Sequence, residues 1–391
     1  AESYITCMRV LIAFDKFKDA LSANQACAVA AKALKDMHPE TELDLCPLAD
    51  GGDGFQTILT QTLNGKGFEY EVKGPQGKKT KACIGIVSSE NISPDSRKLL
   101  KLSSQPLHPN SHLAIVEMAS ASGLALLPIT ERNPWVASSF GTGELLALSS
   151  KYNVEAIVLG IGGSATHDLG LGALSALGIN FLRSDDTRID NPTPSQWREI
   201  KKVTGKTIKL PPLRIACDVA NPLLGTRGAA HVYATQKGLP IKEIDKLEEE
   251  TTEVVKKLSL TFPKMQTLLS TPGSGAAGGI AFGLMATLEA ELVPGFELVT
   301  SLLDLENKIK KADVIITGEG RFDQSSYEGK GPGTVIHLAT KYNKKAHVFA
   351  GEVTSTQSNT IHQITDKGTP LSEALKLTEI NLRNSIIRNF T

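Results

Sequence analysis

RVLIAFDKFKDALSANQACAVAAKALKDMHPETELDLCPLADGGDG, residues 9 to 54, lays out a fold in one pass. Arg9 to Phe14 is a short apolar run of strand type. After Asp15, Lys16 and Lys18, the stretch Ser22-Ala23-Asn24-Gln25 has the form of a capping box, so a helix starts there. Its Ala26, Val29, Ala30, Ala33, Leu34 and Met37 fall on one face at three-and-four spacing, and His38-Pro39 is a stop. Leu43 to Leu48 reads as a second strand and ends in Ala49-Asp50-Gly51-Gly52-Asp53-Gly54, an acidic glycine-rich turn. Strand, helix, strand with ligand-type turns at strand carboxyl ends predicts a parallel α/β sheet whose crevices lie outside those ends. Leu113 to Glu117, Ala156 to Leu159, Leu213 to Cys217, Val314 to Thr317 and Ala346 to Ala350 are further strands of the same kind.

The same device recurs at 312 to 330, ADVIITGEGRFDQSSYEGK. A β-branched strand runs into Gly318-Glu319-Gly320, then Arg321, Asp323 and Lys330, so backbone, carboxylate and cationic groups gather at a strand's end. Glycine costs stability unless the backbone needs its freedom or something approaches closely. Phosphoryl transfer uses such groups, while the bland alternative is a tight turn with solvated charges.

At 391 residues the chain exceeds the ~250–300 at which one core stops growing, which predicts two domains. Lys+Arg and Asp+Glu both total 42, so no basic excess marks a nucleic-acid or anionic-membrane partner. No apolar run approaches a membrane span and no signal-type segment opens the chain. Cys7, Cys27, Cys46, Cys83 and Cys217 lack zinc-type spacing and read as reduced, mostly buried thiols of a cytoplasmic protein. Residues 88 to 112 are rich in Ser, Pro and Asn and read as a long exposed loop. Within it Pro109 and Asn110 deny His108 and His112 the shared helical face of a metal pair. The mixed-sign run Lys242 to Lys257 reads as a solvated helix face.

Two stretches match a dinucleotide-type glycine pattern. Gly160-Ile161-Gly162-Gly163-Ser164-Ala165 follows a strand and leads through Thr166-His167-Asp168 to an apolar helix, with Asp185 and Asp186 placed as a nucleotide-binding acid would be. Gly273-Ser274-Gly275-Ala276-Ala277-Gly278 opens a helix without a preceding strand. Both let backbone amides approach an anion, or else let small residues pack closely. Asp15, Asp50, Asp53, Asp168, Asp218, Glu319 and Asp323 lie at strand ends or beside glycine turns, where a magnesium-phosphate site takes carboxylates, although Asp168 reads better as a helix cap. Lys18, Lys237 and Lys330 are candidate phosphate cations. Serine-hydrolase, zincin and P-loop signatures are absent from the sequence.

These blocks, with IVEMASASGL (115 to 124), FGTGEL (140 to 145), CDVANPLLG (217 to 225), QKG (236 to 238) and GSGAAGG (273 to 279), together resemble the glycerate kinase type 1 family. The resemblance runs from Met8 to the C-terminus. It implies a two-domain α/β protein: a doubly wound parallel-sheet domain, flavodoxin- or Rossmann-like, from residues 1 to 70 and 280 to 391, with a second α/β domain, 71 to 279, inserted and the site in the cleft. It further implies ATP, Mg2+ and D-glycerate, phosphorylated to 2-phosphoglycerate. Asp218 would orient or deprotonate the acceptor hydroxyl, with Lys18 and Lys330 as charge-neutralising partners. Glu319 and Asp323 would hold the magnesium. Binding would fall to Asp15, Asp50, Gly51, Gly52, Gly162, Gly163, Ser164, Ala165, Thr166, Asn221, Lys237, Gly275, Gly278, Gly279 and Arg321. Phe14, Lys16, His167 and Ser325 depart from the family's usual residues. Two rivals stand beside this reading. One is a nicotinamide-dependent hydroxy-acid oxidoreductase resting on Gly160, Gly162 and Ala165; the other is a silent sensor of an organic acid. A homo-oligomer is left open.

Overall fold

A strand buried on both faces of a sheet has no polar alternation to keep, and Val10 to Phe14 are accordingly all 0% exposed. The computed structural model describes residues 8–49, 51–328, 331–354 and 360–390, so Asp50 and Lys330 lie outside the described residues. In chain order the strands are β1 Arg9–Phe14, β2 Glu42–Leu45, β3 Lys66–Lys73, β4 Lys79–Ser88, β5 His112–Glu117, β6 Val154–Gly160, β7 Ile179–Leu182, β8 Lys202–Gly205, β9 Leu213–Ala216, β10 Glu291–Val293, β11 Val314–Phe322, β12 Lys345–Val353 and β13 Ile361–Gln363. The chain is α/β, and its packing divides it into two units, Ala1–Asp50 with Val299–Thr391, and Gly51–Leu298.

The first unit holds the sheet β2-β1-β11-β12-β13, parallel throughout. Counted within the unit this is the order 2-1-3-4-5, which reverses direction between β1 and β11 and opens a crevice outside their carboxyl ends. The helix Ala23–Met37 crosses from β1 to β2. Ser22 Oγ accepts from Gln25 N, Gln25 Oε1 accepts from Ser22 N, and His38 ends the helix. Ala26, Cys27, Ala30, Ala33 and Leu34 form its buried face. Along β12, Phe349 joins the core of β1 and the C-terminal helix Leu371–Phe390, while Val348 and Ala350 join a second cluster with Ile336. Both faces of the sheet are therefore covered, which makes it doubly wound. The second strand stops at Leu45, short of the expected Leu48, yet Cys46 N and Leu48 N still donate to Ile12 O and Phe14 O. Cys27 and Cys46 are buried, which pushes both thiols up to about 12; Cys83 and Cys217 are half-buried.

The second unit carries the sheet β10-β9-β6-β5-β4-β3, parallel from β10 to β5 and antiparallel through β4 and β3, with a separate β7-β8 pair. The joints expected near 70 and 280 fall instead at 50/51 and 298/299. Phe55, Ile58 and Leu59 of the helix Phe55–Thr62 are buried on β4 and β5, and β10 pairs with β9, so both segments pack with the second unit.

The segment 88 to 112 is the expected exposed loop over residues 101 to 110, but its first half is not. Ser93 caps a helix, Pro94–Leu99, whose Arg97 is 1% exposed. The guanidinium donates to both carboxylate oxygens of Glu155 at 2.7 and 3.1 Å, and to Ser103 O and Gln105 O. Burial is the largest single influence and would raise the Glu155 carboxyl, but hydrogen bonds from Arg97, Ser89 and Leu107 N together with the Arg97 charge outweigh it and hold the group below its usual range. The run 242 to 257 is likewise only half solvated: in the helix Ile244–Leu258, Leu247, Thr251, Val254, Val255 and Leu258 are buried. Among the described residues no helix is long and apolar enough to cross a membrane.

A buried ion pair costs most when one partner is removed. Arg97→Met should cost about 3–5 kcal/mol in urea unfolding, and Arg97→Met with Glu155→Met should cost less than that single change. A single-variant loss under about 1 kcal/mol would show the pair to be of no structural weight.

Candidate active site

In the first unit, Phe14 lies beside Gly318 in the β1–β11 register, and Asp15 N donates to Gly318 O at 3.0 Å. Asp15 therefore leaves β1 beside Glu319. Burial raises the Glu319 carboxyl to about 7, a hydrogen bond from Ser326 opposes the rise, and the charges of Asp15 and Asp323 add to it. Its Oε1 is buried and meets no partner among the described residues. Asp323 N donates to Ser326 Oγ at 3.1 Å, which fixes the turn after β11. Arg321 is exposed, its Nε 3.7 Å from Asp323 Oδ2 and 3.5 Å from Glu352 Oε2. Asp15, Lys18, Glu319 and Arg321 line a cavity of about 910 Å³.

Among the described residues no three Asp, Glu, His or Cys groups converge as a ready-made metal cage. Magnesium does not need one, because it keeps several waters and takes one or two carboxylates plus phosphate oxygens. The orphaned Glu319 oxygen, beside two other carboxylates, fits that donor set. The sequence reading passed over Ser326, and also the β12 end Gly351-Glu352, which repeats the glycine-acid pattern of Gly318-Glu319.

In the second unit, Asp218 follows β9 and is half-buried. Its Oδ2 accepts from Phe296 N at 2.8 Å, in the first turn of the helix Gly295–Leu302, where the helix dipole favours a carboxylate. The turn at Gly51 (φ +88°) lies against Ala216, and a Cβ at Gly162 would stand 2.6 Å from Gly52 Cα. A Cβ on Gly163 would meet the Asp53 carboxylate at 3.3 Å. Turn 51–54, loop 160–166 and the end of β9 thus converge.

Several sequence expectations are corrected here by close packing. Gly162 N donates to Gly51 O, Ala165 N to Ser122 O and Gly275 N to Asn221 O, so these amides are committed within the protein. Gly278 and Gly279 take left-handed conformations, and a Cβ at Gly278 would stand 2.0 Å from Thr166 O. The second motif is thereby a helix-on-loop contact. Asn221 spends its side chain on Arg227 O and the Tyr233 hydroxyl. Lys237 is no free phosphate cation: it is 2% exposed, and its ammonium donates to Ser164 Oγ at 2.9 Å and Thr166 O at 2.6 Å. Burial lowers it to about 7, against the charge of Asp168. Burial lowers His167 to about 3, and its Nε2 shares a hydrogen bond with Thr251 Oγ1. Thr166 Oγ1 and Ser274 Oγ are buried without a partner among the described residues.

The nicotinamide reading loses its geometry in the same region. The first helix after the 160–165 motif starts only at Leu171, and Asp168 accepts from the amides of Gly170 and Gly172 at its start. Asp185 and Asp186 belong to an exposed turn, where Asp185 accepts from Thr187.

Titration of Glu319 gives a signed expectation. The folded protein keeps this proton to about pH 7 and the unfolded chain releases it near 4.5, so its contribution is full below 4.5 and is lost as pH rises through 7. Glu319→Gln should therefore gain about 1–3 kcal/mol over the wild type at pH 8 relative to their difference at pH 4.5. Thermal unfolding at both pH values checks it, and equal differences would disprove it.

A family model for the glycerate kinase family matches residues 10–389. A glycerate 2-kinase of Escherichia coli (strain K12) is 36% identical over 363 residues, 91% of this chain and 88% of that protein. A glycerate kinase of Bacillus subtilis (strain 168) is 34% identical over 364 residues, 91% of this chain and 88% of its own. A crystal structure from Salmonella typhimurium LT2, assigned as glycerate kinase 2, superposes with a TM-score of 0.71 at 31% identity, covering 98% of this chain and 97% of that one. The match runs over nearly the whole of this chain, and the chain belongs to the glycerate kinase family.

Proposed function

We propose that this protein is a cytoplasmic glycerate 2-kinase, which transfers the γ-phosphoryl group of ATP to the 2-hydroxyl of D-glycerate and yields 2-phosphoglycerate and ADP. The relatives' names supply the acceptor. In the molecule itself, the observation that carries the reading is the buried carboxylate oxygen of Glu319, set near the charges of Asp15 and Asp323 at the sheet's switch point, a place that calls for a cation.

Phosphoryl transfer asks the protein for positioning and charge neutralisation more than for covalent chemistry. Glu319, with Asp15 or Asp323, would hold magnesium directly or through water, and the ion supplies neutralisation of phosphate charge. Lys18 and Arg321, both exposed cations at the cavity, draw the nucleotide's phosphates. Asp218 accepts the proton of the 2-hydroxyl as that oxygen bonds to the γ-phosphorus, and the bond from phosphorus to the β–γ bridging oxygen breaks. The helix contact through Oδ2 fixes the orientation of the carboxylate that serves as the base. Lys237 braces the loop Gly162–Thr166 through its hydrogen bonds to Ser164 Oγ and Thr166 O.

Release of ADP should require D-glycerate and magnesium together, in a coupled assay that compares D-glycerate, L-glycerate and no acceptor. ATP consumption without an acceptor, or reduction of NAD by glycerate, would defeat the reading. Asn at position 218 can still accept from Phe296 N, so Asp218→Asn keeps the helix contact and removes the base. Its kcat should fall about 10²–10⁴-fold with ADP affinity unchanged; near-normal turnover would take Asp218 out of the mechanism.

A further inference from the structure

The cavity of the first unit is far larger than a three-carbon acid needs. Its lining comes from the carboxyl ends of β1, β11, β12 and β13 and from the start of the helix Leu371–Phe390. Four adjacent strand ends span about 14 Å at ~4.8 Å per strand. A volume of about 910 Å³ is at the upper end for sites of drug-sized ligands.

The two ends of this trough differ in chemistry. At β1, β11 and the adjoining end of β12, carboxylates (Asp15, Glu319, Glu352) interleave with cations (Lys16, Lys18, Arg321). A bare organic anion gains little from such mixed signs, whereas phosphates that carry a divalent cation complement both. At the far end Leu371, Ala374 and Leu375 face the trough from the first turns of the helix, and Leu371 is 74% exposed. An uncovered leucine beside a cavity suits a flat apolar partner such as a nucleobase.

The floor between them is glycine, and the two glycines there have different reasons. A Cβ at Gly351 would stand 2.4 Å from Gly320 O, so strand packing alone demands glycine. A Cβ at Gly320 would meet nothing nearer than Lys18 N at 3.4 Å, an ordinary contact. The protein's own packing does not exclude a side chain at 320; one there would stand in the trough.

We infer that this trough is the nucleotide site, with the base on the Leu371–Ala374–Leu375 shelf, the sugar and phosphates over Gly320, and the terminal phosphate at Glu319. The inference rests on the kinase reading for its ligand class. It separates the two substrates: the nucleotide is held by the first unit's residues alone.

Calorimetric titration of the full chain with ADP and magnesium, beside steady-state kinetics, tests it. Ala374→Trp fills the shelf, and Leu371→Glu changes a side chain exposed enough to leave the core untouched. Each should weaken ADP binding and raise the KM for ATP by about tenfold or more, with the KM for D-glycerate within about twofold. Unchanged ADP affinity in Leu371→Glu and in a folded Ala374→Trp overturns the inference and leaves the glycerate reading standing, as does a rise in the D-glycerate KM alone. A wild-type chain that binds ADP, loses it in these variants and fails to phosphorylate D-glycerate supports the trough and ends the glycerate reading. A wild-type chain that binds no ADP ends both.

Discussion

The pairing of β1 with β11 is the constraint on which the first unit depends. Thr317 Oγ1 donates to Ala13 O across 304 residues of sequence, and five residues of each strand run in parallel register. Once that register is set, Asp15 and Glu319 emerge side by side and the sheet reverses its winding there. A slip of one residue would turn Glu319 to the opposite face and Gly318 into its place. Closing so long a loop costs entropy that grows only slowly with length, so an insertion of a whole second unit is thermodynamically tolerable.

Glycine does two unlike jobs in this protein. Gly162, Gly275 and Gly278 allow backbone to approach backbone, where a Cβ would stand 2.6, 2.1 and 2.0 Å from its nearest neighbour. Gly320 has no such neighbour and opens onto a cavity instead. A sequence pattern records only that the side chain is missing. The close approaches decide which glycines serve packing, and they assign most of the two dinucleotide-like motifs to it.

Buried charge is managed differently in the two units. Arg97 and Glu155 neutralise one another with paired hydrogen bonds, and Lys237 gives its protons to Ser164 and Thr166 O while its pKa sinks to about 7. Glu319 has, among the described residues, Ser326 as a hydrogen-bond partner and the like charges of Asp15 and Asp323 nearby, and burial above all raises its pKa to about 7. The first arrangement is complete within the protein. The second is completed by a proton or a cation, which is the difference between a structural pair and a group held ready for a ligand.

Local pattern carried a large part of the architecture. The capping box at Ser22 and Gln25, the stop at His38 and the apolar runs of β1, β5, β6, β9, β11 and β12 are set by residues a few positions apart, so the sequence alone determined them. It also determined the glycine-acid turns at strand ends and, through their order, the family. The alternation of Phe68, Tyr70 and Val72 in β3 is a local pattern of the same kind. Tertiary structure alone decided that Lys237 points inward, that Arg97 locks residues 88 to 112 onto β6, and that Glu319 keeps its proton near neutrality. Each of these depends on desolvation and on partners tens to hundreds of residues away, and neither quantity is written in the neighbouring sequence.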